Sequence, residues 1–371
     1  MKELRKIIVS GGGTGGHIMP AIALCEALRD KYPELKIIFA GREDSMEERL
    51  AEKYALPFYP IPSAPKGRGL KTIKNFFVNL AGFFKSLATI LLVHPGKVVA
   101  FGGYTSAPLL LASLTAWRDS VIHESNAIPG RVTRLMAKLG ARVACGLPSS
   151  HPIMRKLKDS KKRVNSFSVT GNPLRKEFFE AKDDIGKILP GYDSGRPLLL
   201  VFGGSQGAHK INMFISGALP RLKGALPELQ IAHVCGENDE ETLRAAYENV
   251  GLAYWLFPFL NGMATVMRHS DLTVARSGAM SVSEICASSL PAILIPLPFA
   301  ADGHQLANAK CLEEAGAALV REEKDLNPDL LSKDIIGLLK DKERLQKMAE
   351  AGSNICSREA SQKLIEFIEA V

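Results

Sequence analysis

The sequence predicts an α/β protein of two Rossmann-like doubly wound domains. Three observations carry the doubly wound reading. The chain has 371 residues, enough for two domains at roughly 100–200 residues each. A short apolar run enters a glycine turn and then a helix at residues 6–28, and the same grammar returns at residues 197–219. Short apolar strands alternate with helical stretches through both halves, as right-handed β-α-β units would.

In order along the chain, Lys6–Ser10 reads as a strand, Gly11–Gly16 as a turn and Pro20–Leu28 as the first turns of a helix. Lys36–Ala40, Lys97–Phe101 and Ser120–His123 read as further strands. Phe76–Val93 is the most apolar stretch, but Asn79, Lys85, Ser86 and Thr89 interrupt it. It falls short of the roughly 18–20 unbroken apolar residues of a transmembrane helix. Arg155–Arg163 is polar and Lys-rich, and Val169–Arg175 ends in an Asn-Pro turn, which puts the domain junction at Arg175. The domains are then 1–175 and 176–356. In the second, Pro197–Phe202, Gln230–Cys235, Leu272–Val274 and Ala292–Ile295 are strands, with Ala208–Leu219 a helix after the Gly203–Gly207 turn. Residues 358–371 form an amphipathic helix with Leu364, Phe367 and Ile368 on one side.

Composition narrows the function. With 46% hydrophobic and 23% charged residues the chain is neither disordered nor collagenous. Six scattered cysteines without a C-x-x-C pair read as reduced thiols, and Lys2, Arg5 and Lys6 lead straight into a strand rather than a signal peptide. A cytoplasmic protein is expected. Residues 1–175 carry 27 Lys and Arg against 12 Asp and Glu, whereas residues 176–371 carry 20 against 27. A basic first half suits an anionic substrate or membrane surface. Nucleic acid is not expected, because no aromatic-interleaved basic motif or zinc-finger spacing occurs.

Gly11, Gly13 and Gly16 fit G-x-G-x-x-G after a strand, so a dinucleotide is one reading of the first turn. The second strand ends in Ala40-Gly41-Arg42 rather than an acidic residue, which leaves NADP as an alternative. The second turn, Gly203-Gly204-Ser205-Gln206-Gly207, lacks the Lys of a P-loop and suits a diphosphate held without hydrolysis. A plain tight turn is the alternative for each. No D-x-D pair occurs, so metal-independent chemistry without a cofactor is expected. Downstream, Arg276–Glu284 reads as a small-residue turn starting a helix, which places Glu284 where a carboxylate can accept from both ribose hydroxyls; an exposed helix glutamate is the alternative. Gln305 and Asn308 lie three apart, on one helix face, and amides suit sugar hydroxyls.

The segments GGGTGGHIMP (11–20), FGGYTSAP (101–108), HESNAIPG (123–130), GNPLR (171–175) and GGSQGA (203–208), with 276–284 and 304–308, resemble the MurG family. These are N-acetylglucosaminyltransferases of glycosyltransferase family 28, which make lipid II in bacterial peptidoglycan synthesis. The resemblance runs along almost the whole chain. It implies the GT-B fold, α/β with two Rossmann-like doubly wound domains facing across a cleft, in which the C-terminal domain holds UDP-N-acetylglucosamine and the N-terminal one the acceptor lipid I, undecaprenyl-pyrophosphoryl-N-acetylmuramyl-peptide. It implies donor contacts from Leu260 to the uracil, from Ala279, Met280, Ser281, Val282, Ser283 and Glu284 to diphosphate and ribose, and from Gln305 and Asn308 to the sugar. Thr14, Gly15, Gly16, Asn126, Arg175, Ser205 and Gln206 would complete the donor site, and Gly13, Tyr104, Thr105 and Glu124 would meet the acceptor. His304 stands where some members carry a second glutamine. The last helix, from residue 357, would cross back onto the first domain.

The implied reaction is an inverting displacement by the muramyl C4 hydroxyl. His17 is the candidate base because its unperturbed titration lies near working pH; a structural hydrogen bond pinning the loop is the alternative. Another GT-B glycolipid transferase, such as a diacylglycerol glucosyltransferase, would share the donor motifs. Because the acceptor tail stays in the bilayer, a peripheral site on the cytoplasmic face of the inner membrane is expected. Phe76, Phe77, Phe83 and Phe84 with Lys71, Lys74 and Lys85 form the candidate membrane patch.

Overall fold

The structure, a computed structural model, describes residues 5–13, 15–65, 67, 69–148, 152–154, 166–180, 184–204 and 208–370. Thr14, Ser205 and Gln206 of the expected site, Gly207, and the Lys-rich stretch 155–163 lie outside the described residues. The chain divides into two compact units, Met1–Arg175 with Glu359–Val371, and Lys176–Arg358.

The first unit holds a seven-stranded parallel sheet in the order β3-β2-β1-β4-β5-β6-β7. Its strands are β1 (Lys6–Ser10), β2 (Lys36–Gly41), β3 (Phe58–Pro60), β4 (Lys97–Ala100), β5 (Asp119–Glu124), β6 (Arg142–Cys145) and β7 (Phe167–Val169). The central strands are continuous apolar runs because helices cover both faces; Ile7, Ile8, Val9, Val98, Val99, Val121 and Ile122 are all buried. β1 pairs with β2 on one side and β4 on the other. Strand order reverses at that point, which is where doubly wound sheets open a crevice at their carboxyl edge. The turns after β1 and β4 therefore meet.

Helix α1 (Gly15–Lys31) begins earlier than the sequence suggested and runs through Pro20, anchored by Ile18, Ile22, Leu24 and Leu28 in the core. The last helix, Ala360–Glu369, inserts Leu364, Ile365 and Ile368 into the same core. Arg142 fastens its end: the guanidinium donates to the Phe367 and Ile368 carbonyls, lies 4.5 Å from the Phe367 ring, and pairs with Asp119 at 3.1 Å. A cation there meets the negative end of the helix dipole.

Helix α2 (Met46–Lys53) is capped by Ser45, whose hydroxyl accepts from Glu47 N at 3.2 Å. Helix α3 (Leu70–Val93) corrects the reading of a broken apolar run, since Lys71–Val93 is long and apolar enough to cross a membrane by length and composition. The interrupting residues face the unit instead. Ser86 and Thr89 are buried beside Ile90, and the Asn79 amide bonds both backbone groups of Ala64 at 3.0 Å. A Cβ on Gly82 would collide with the Pro62 carbonyl, so this face lies close against the unit.

The second unit is a six-stranded parallel sheet in the order β10-β9-β8-β11-β12-β13. Its strands are β8 (Leu198–Phe202), β9 (Gln230–Val234), β10 (Ala253–Phe257), β11 (Leu272–Ala275), β12 (Ala292–Leu294) and β13 (Ala318–Val320). The order reverses between β8 and β11, so the chain leaves these two strands, at Gly203 and at Arg276, from the same edge. The helix after β8 spans His209–Ala225 and continues past Pro220, because Leu219 and Leu222 on either side are held in the core. All six cysteines are free, and burial pushes the Cys25 and Cys286 thiols well up, which leaves them inert.

Candidate functional site

In the first unit the two glycine turns interlock. Gly12 admits no side chain, since a Cβ would strike Glu47 Oε1 and Thr105 Oγ1. One on Gly103 would strike the Gly12 carbonyl. Gly13, at φ +90°, donates its N–H to Glu47 Oε1 at 3.0 Å. Gly102 and Gly103, at φ +74° and +76°, form the second turn. Built Cβ atoms on them would come within 3.5 Å of the His17 ring, so the half-exposed imidazole rests on that turn. Gly15 and Gly16 start α1, whose first-turn N–H groups have no acceptor within the helix itself. With Gly13 N–H committed to a buried carboxylate, the dinucleotide reading loses a phosphate donor the fingerprint needs.

Tyr104 lays its ring against Gly13 and its hydroxyl accepts from Arg42 at 3.4 Å. Two other residues expected to touch the acceptor are instead interior. Thr105 is 1% exposed, and Glu124, at 5%, has both carboxylate oxygens engaged. Glu124 Oε1 accepts from Asn126 N and Nδ2, and Oε2 from Gly130 N at 2.7 Å and Thr133 Oγ1 at 2.6 Å. The carboxylate thus folds the 124–133 loop and holds Asn126 in place. A local i to i+2 and i+6 pattern of this kind is a turn signature, not a ligand site. Next to it, His123 packs at a tilt against the Phe101 ring and donates from Nε2 to the Gly171 carbonyl at 3.0 Å; burial pushes its pKa down to about 4. Asn172 Nδ2 donates to the Ser125 carbonyl at 3.1 Å, so the segment ending in half-exposed Arg175 is tied to this loop.

In the second unit, the turn after β11 is built from the inside. Arg276 is buried, donating to the Ile295 and Pro296 carbonyls and pairing with Glu323 at 2.6 Å. Ser277 Oγ donates to the Gln305 carbonyl at 2.8 Å. Helix Ala279–Ala287 then starts, with Ala279, Ser281 and Glu284 half-exposed and Met280, Val282 and Ser283 buried. Val282 faces the core, and the Ser283 hydroxyl is spent on the Ala279 carbonyl at 2.9 Å.

Asn308 is a correction. It is fully buried, and its Nδ2 donates to the Ser277 carbonyl at 3.1 Å. The amide braces the turn rather than meeting a sugar directly. Gln305, one turn earlier on helix His304–Glu314, remains at the surface. Its Oε1 accepts from Leu297 N at 2.9 Å, and because that donor fixes the amide's orientation, Nε2 faces away from it. Leu260 is buried beside exposed Phe259 in the loop after β10.

A buried polar chain is built on the first turn of the helix His209–Ala225, and no motif announced it. The Tyr247 hydroxyl donates to His233 Nδ1 at 2.9 Å, and His233 Nε2 donates to Asn212 Oδ1 at 3.0 Å. Asn212 Nδ2 reaches the Cys235 carbonyl at 2.9 Å and Asp239 at 2.7 Å, and Asp239 pairs with His209 at 2.7 Å. Burial pushes the Asp239 carboxyl up, but the hydrogen bonds from His209 and Asn212 outweigh it and hold the group below its ordinary range. This chain fixes the start of the helix that follows the glycine turn.

The glycosyltransferase family 28 N-terminal domain matches residues 7–145, and the family 28 C-terminal domain residues 198–366. A relative from Geobacter sulfurreducens is 36% identical over 98% of both chains. One from Geobacter metallireducens is 35% identical over 97% of both. Each is named UDP-N-acetylglucosamine–N-acetylmuramyl-(pentapeptide) pyrophosphoryl-undecaprenol N-acetylglucosamine transferase. Among solved structures, Acinetobacter baumannii MurG superposes with a TM-score of 0.77 at 26% identity, covering 98% of this chain and 99% of that one.

Proposed function

The chain belongs to glycosyltransferase family 28, and from that membership we propose that it transfers N-acetylglucosamine from UDP-N-acetylglucosamine to the muramyl C4 hydroxyl of lipid I, forming lipid II. The observation that carries the reading is similarity to relatives named for this reaction over nearly the full length of the chain.

In this mechanism the second unit binds the donor. Glu284 accepts from the ribose hydroxyls, first-turn amides of helix Ala279–Ala287 meet the diphosphate, and Gln305 Nε2 donates to the sugar. Leu260 offers its backbone to the uracil. Ser205, Gln206 and Arg175 add hydrogen bonds and charge to the leaving diphosphate. The first unit presents the acceptor to His17, which takes the C4 proton as the hydroxyl displaces UDP with inversion. Gly15 and Gly16, at the start of α1, meet the donor, and Tyr104 lines the acceptor side. No D-x-D pair serves the diphosphate, so the reaction proceeds without a divalent metal.

The enzyme works as a peripheral protein on the cytoplasmic face of the inner membrane, and nucleic acid is not a partner. Helix α3 supports this with a row of exposed side chains, Ile73, Phe76, Phe77, Phe84, Leu91 and Leu92, beside exposed Lys71 and Lys74. Phe83 packs against the core and leaves the patch, and Lys85 lies over the Tyr59 ring at 5.8 Å. UDP release from UDP-N-acetylglucosamine, measured with lipid I, with diacylglycerol and with no acceptor, tests the reading. Release only with lipid I, unchanged by EDTA, is the expected result. Release with diacylglycerol, or a strict metal requirement, refutes the acceptor or the metal-free chemistry.

A further inference from the structure

We infer that Glu47 is a positioning residue of the acceptor side, locking the two glycine turns together and so setting where His17 stands. The inference rests on the transferase reading above. Glu47 is 3% exposed, on an element that neither turn belongs to. Three loops converge on it. Its Oε1 accepts the Gly13 N–H at 3.0 Å, from the turn after β1. Its Cβ leaves no room for a side chain on Gly41, where a Cβ would lie 2.7 Å away, at the end of β2. With Thr105 Oγ1, from the turn after β4, it brackets the space over Gly12 that a Cβ would fill. The Gly12 carbonyl in turn abuts Gly103, and Gly102 and Gly103 carry the His17 ring.

A buried carboxylate is tolerated here for two reasons. It is the second residue of α2, where the helix dipole favours an anion, and it accepts from a backbone amide. Its burial and inward hydrogen bond keep it off any substrate, so it acts through the turns and not on the reacting atoms. What the position requires is an acceptor oxygen aimed at Gly13 N–H, and a glutamine supplies one as well as a glutamate does.

The experiment compares E47A and E47Q with the unaltered enzyme, using UDP-N-acetylglucosamine and a short-chain lipid I analogue, alongside amide hydrogen exchange of residues 11–17. In E47A, kcat should fall about 10- to 100-fold, as expected for a misplaced catalytic group, while the KM for UDP-N-acetylglucosamine stays within about twofold. Exchange of residues 11–17 should rise in E47A and not in E47Q. E47Q should keep kcat within about threefold and the same pH profile, because it keeps the hydrogen bond. Full activity in E47A, or exchange that does not rise, overturns the inference. So does an E47Q as impaired as E47A, and that comparison suffices alone if E47A does not fold. An unaltered enzyme with no turnover on the analogue refutes the transferase reading instead, while the exchange measurement still decides what Glu47 holds.

Discussion

Lowering the pH from 7 to 5 should weaken the second unit through His233. The ring is fully buried, and both nitrogens are engaged in the neutral form, Nε2 with Asn212 and Nδ1 with Tyr247. Burial pushes its pKa down to about 3 from an ordinary 6.5. The folded pKa lies below the unfolded one, so the unfolded chain binds more protons in between. The stability contributed by this group is therefore whole above about 6.5 and is lost as pH falls towards 3. At pH 5 the unfolded imidazole is charged and the folded one is not, which over about 1.5 pH units amounts to about 2 kcal/mol. The two tryptophans, Trp117 and Trp255, lie in different units, so a W117F background reports urea unfolding of the second unit through Trp255 alone. H233Q should be less stable at pH 7, yet lose about 2 kcal/mol less than the parent between pH 7 and 5. Equal losses in the two proteins would show that some other group carries the pH dependence, and the argument from burial would fail.

E284A should raise the KM for UDP-N-acetylglucosamine by the equivalent of about 1.5–3 kcal/mol with a smaller effect on kcat; an unchanged KM would sink the ribose assignment. H17A should lower kcat by about 10²–10⁴ with donor affinity preserved, and a loss under tenfold would reduce His17 to loop support. N308A should cost about 1–3 kcal/mol of stability in the second unit, because the buried Ser277 carbonyl loses its donor. Q305A should leave stability alone and relax discrimination among sugar epimers, and the reverse pattern in urea melts and sugar competition would overturn the exchange of roles. Replacing Lys71 and Lys74 by Glu should release the protein from anionic vesicles in a flotation assay while sparing activity on a soluble acceptor; attachment that survives would exclude the electrostatic component.

The frame of each unit was legible because buried parallel strands must be apolar throughout and must enter glycine turns, and both properties are written locally. β1, β4, β5, β8 and β9 were located to within a residue or two at each end. The three-residue strands β3, β7 and β13 were not read, since so short an edge shows no period and half-buried residues blur its apolar character. Pro20 and Pro220 misled in the same direction, marking breaks where burial of the neighbouring leucines and isoleucines holds the helix through the lost hydrogen bond.

Depth was the harder quantity at the site. Residues three apart share a helix face, which is why Gln305 and Asn308 were paired, but a face descends from solvent into the core along the helix and spacing does not say where. Asn308 lies on the inner side of that boundary, so the chemistry that suits a sugar serves the Ser277 turn instead. Glu124 was misread likewise, because a carboxylate followed at once by Ser, Asn and Gly can satisfy itself in its own loop. Glu47 shows the opposite failure. Ser45-Met46-Glu47-Glu48 draws attention to Glu48, which stands at the capping-box position and accepts from Asp44 N at 2.8 Å, whereas the partner that gives Glu47 its place is a glycine amide more than thirty positions upstream. A motif scan sees glycines as open space for a ligand. Here Gly12 and Gly103 are empty of side chains so that protein can fill the space, and the His17 ring rests against the turn that Gly103 belongs to.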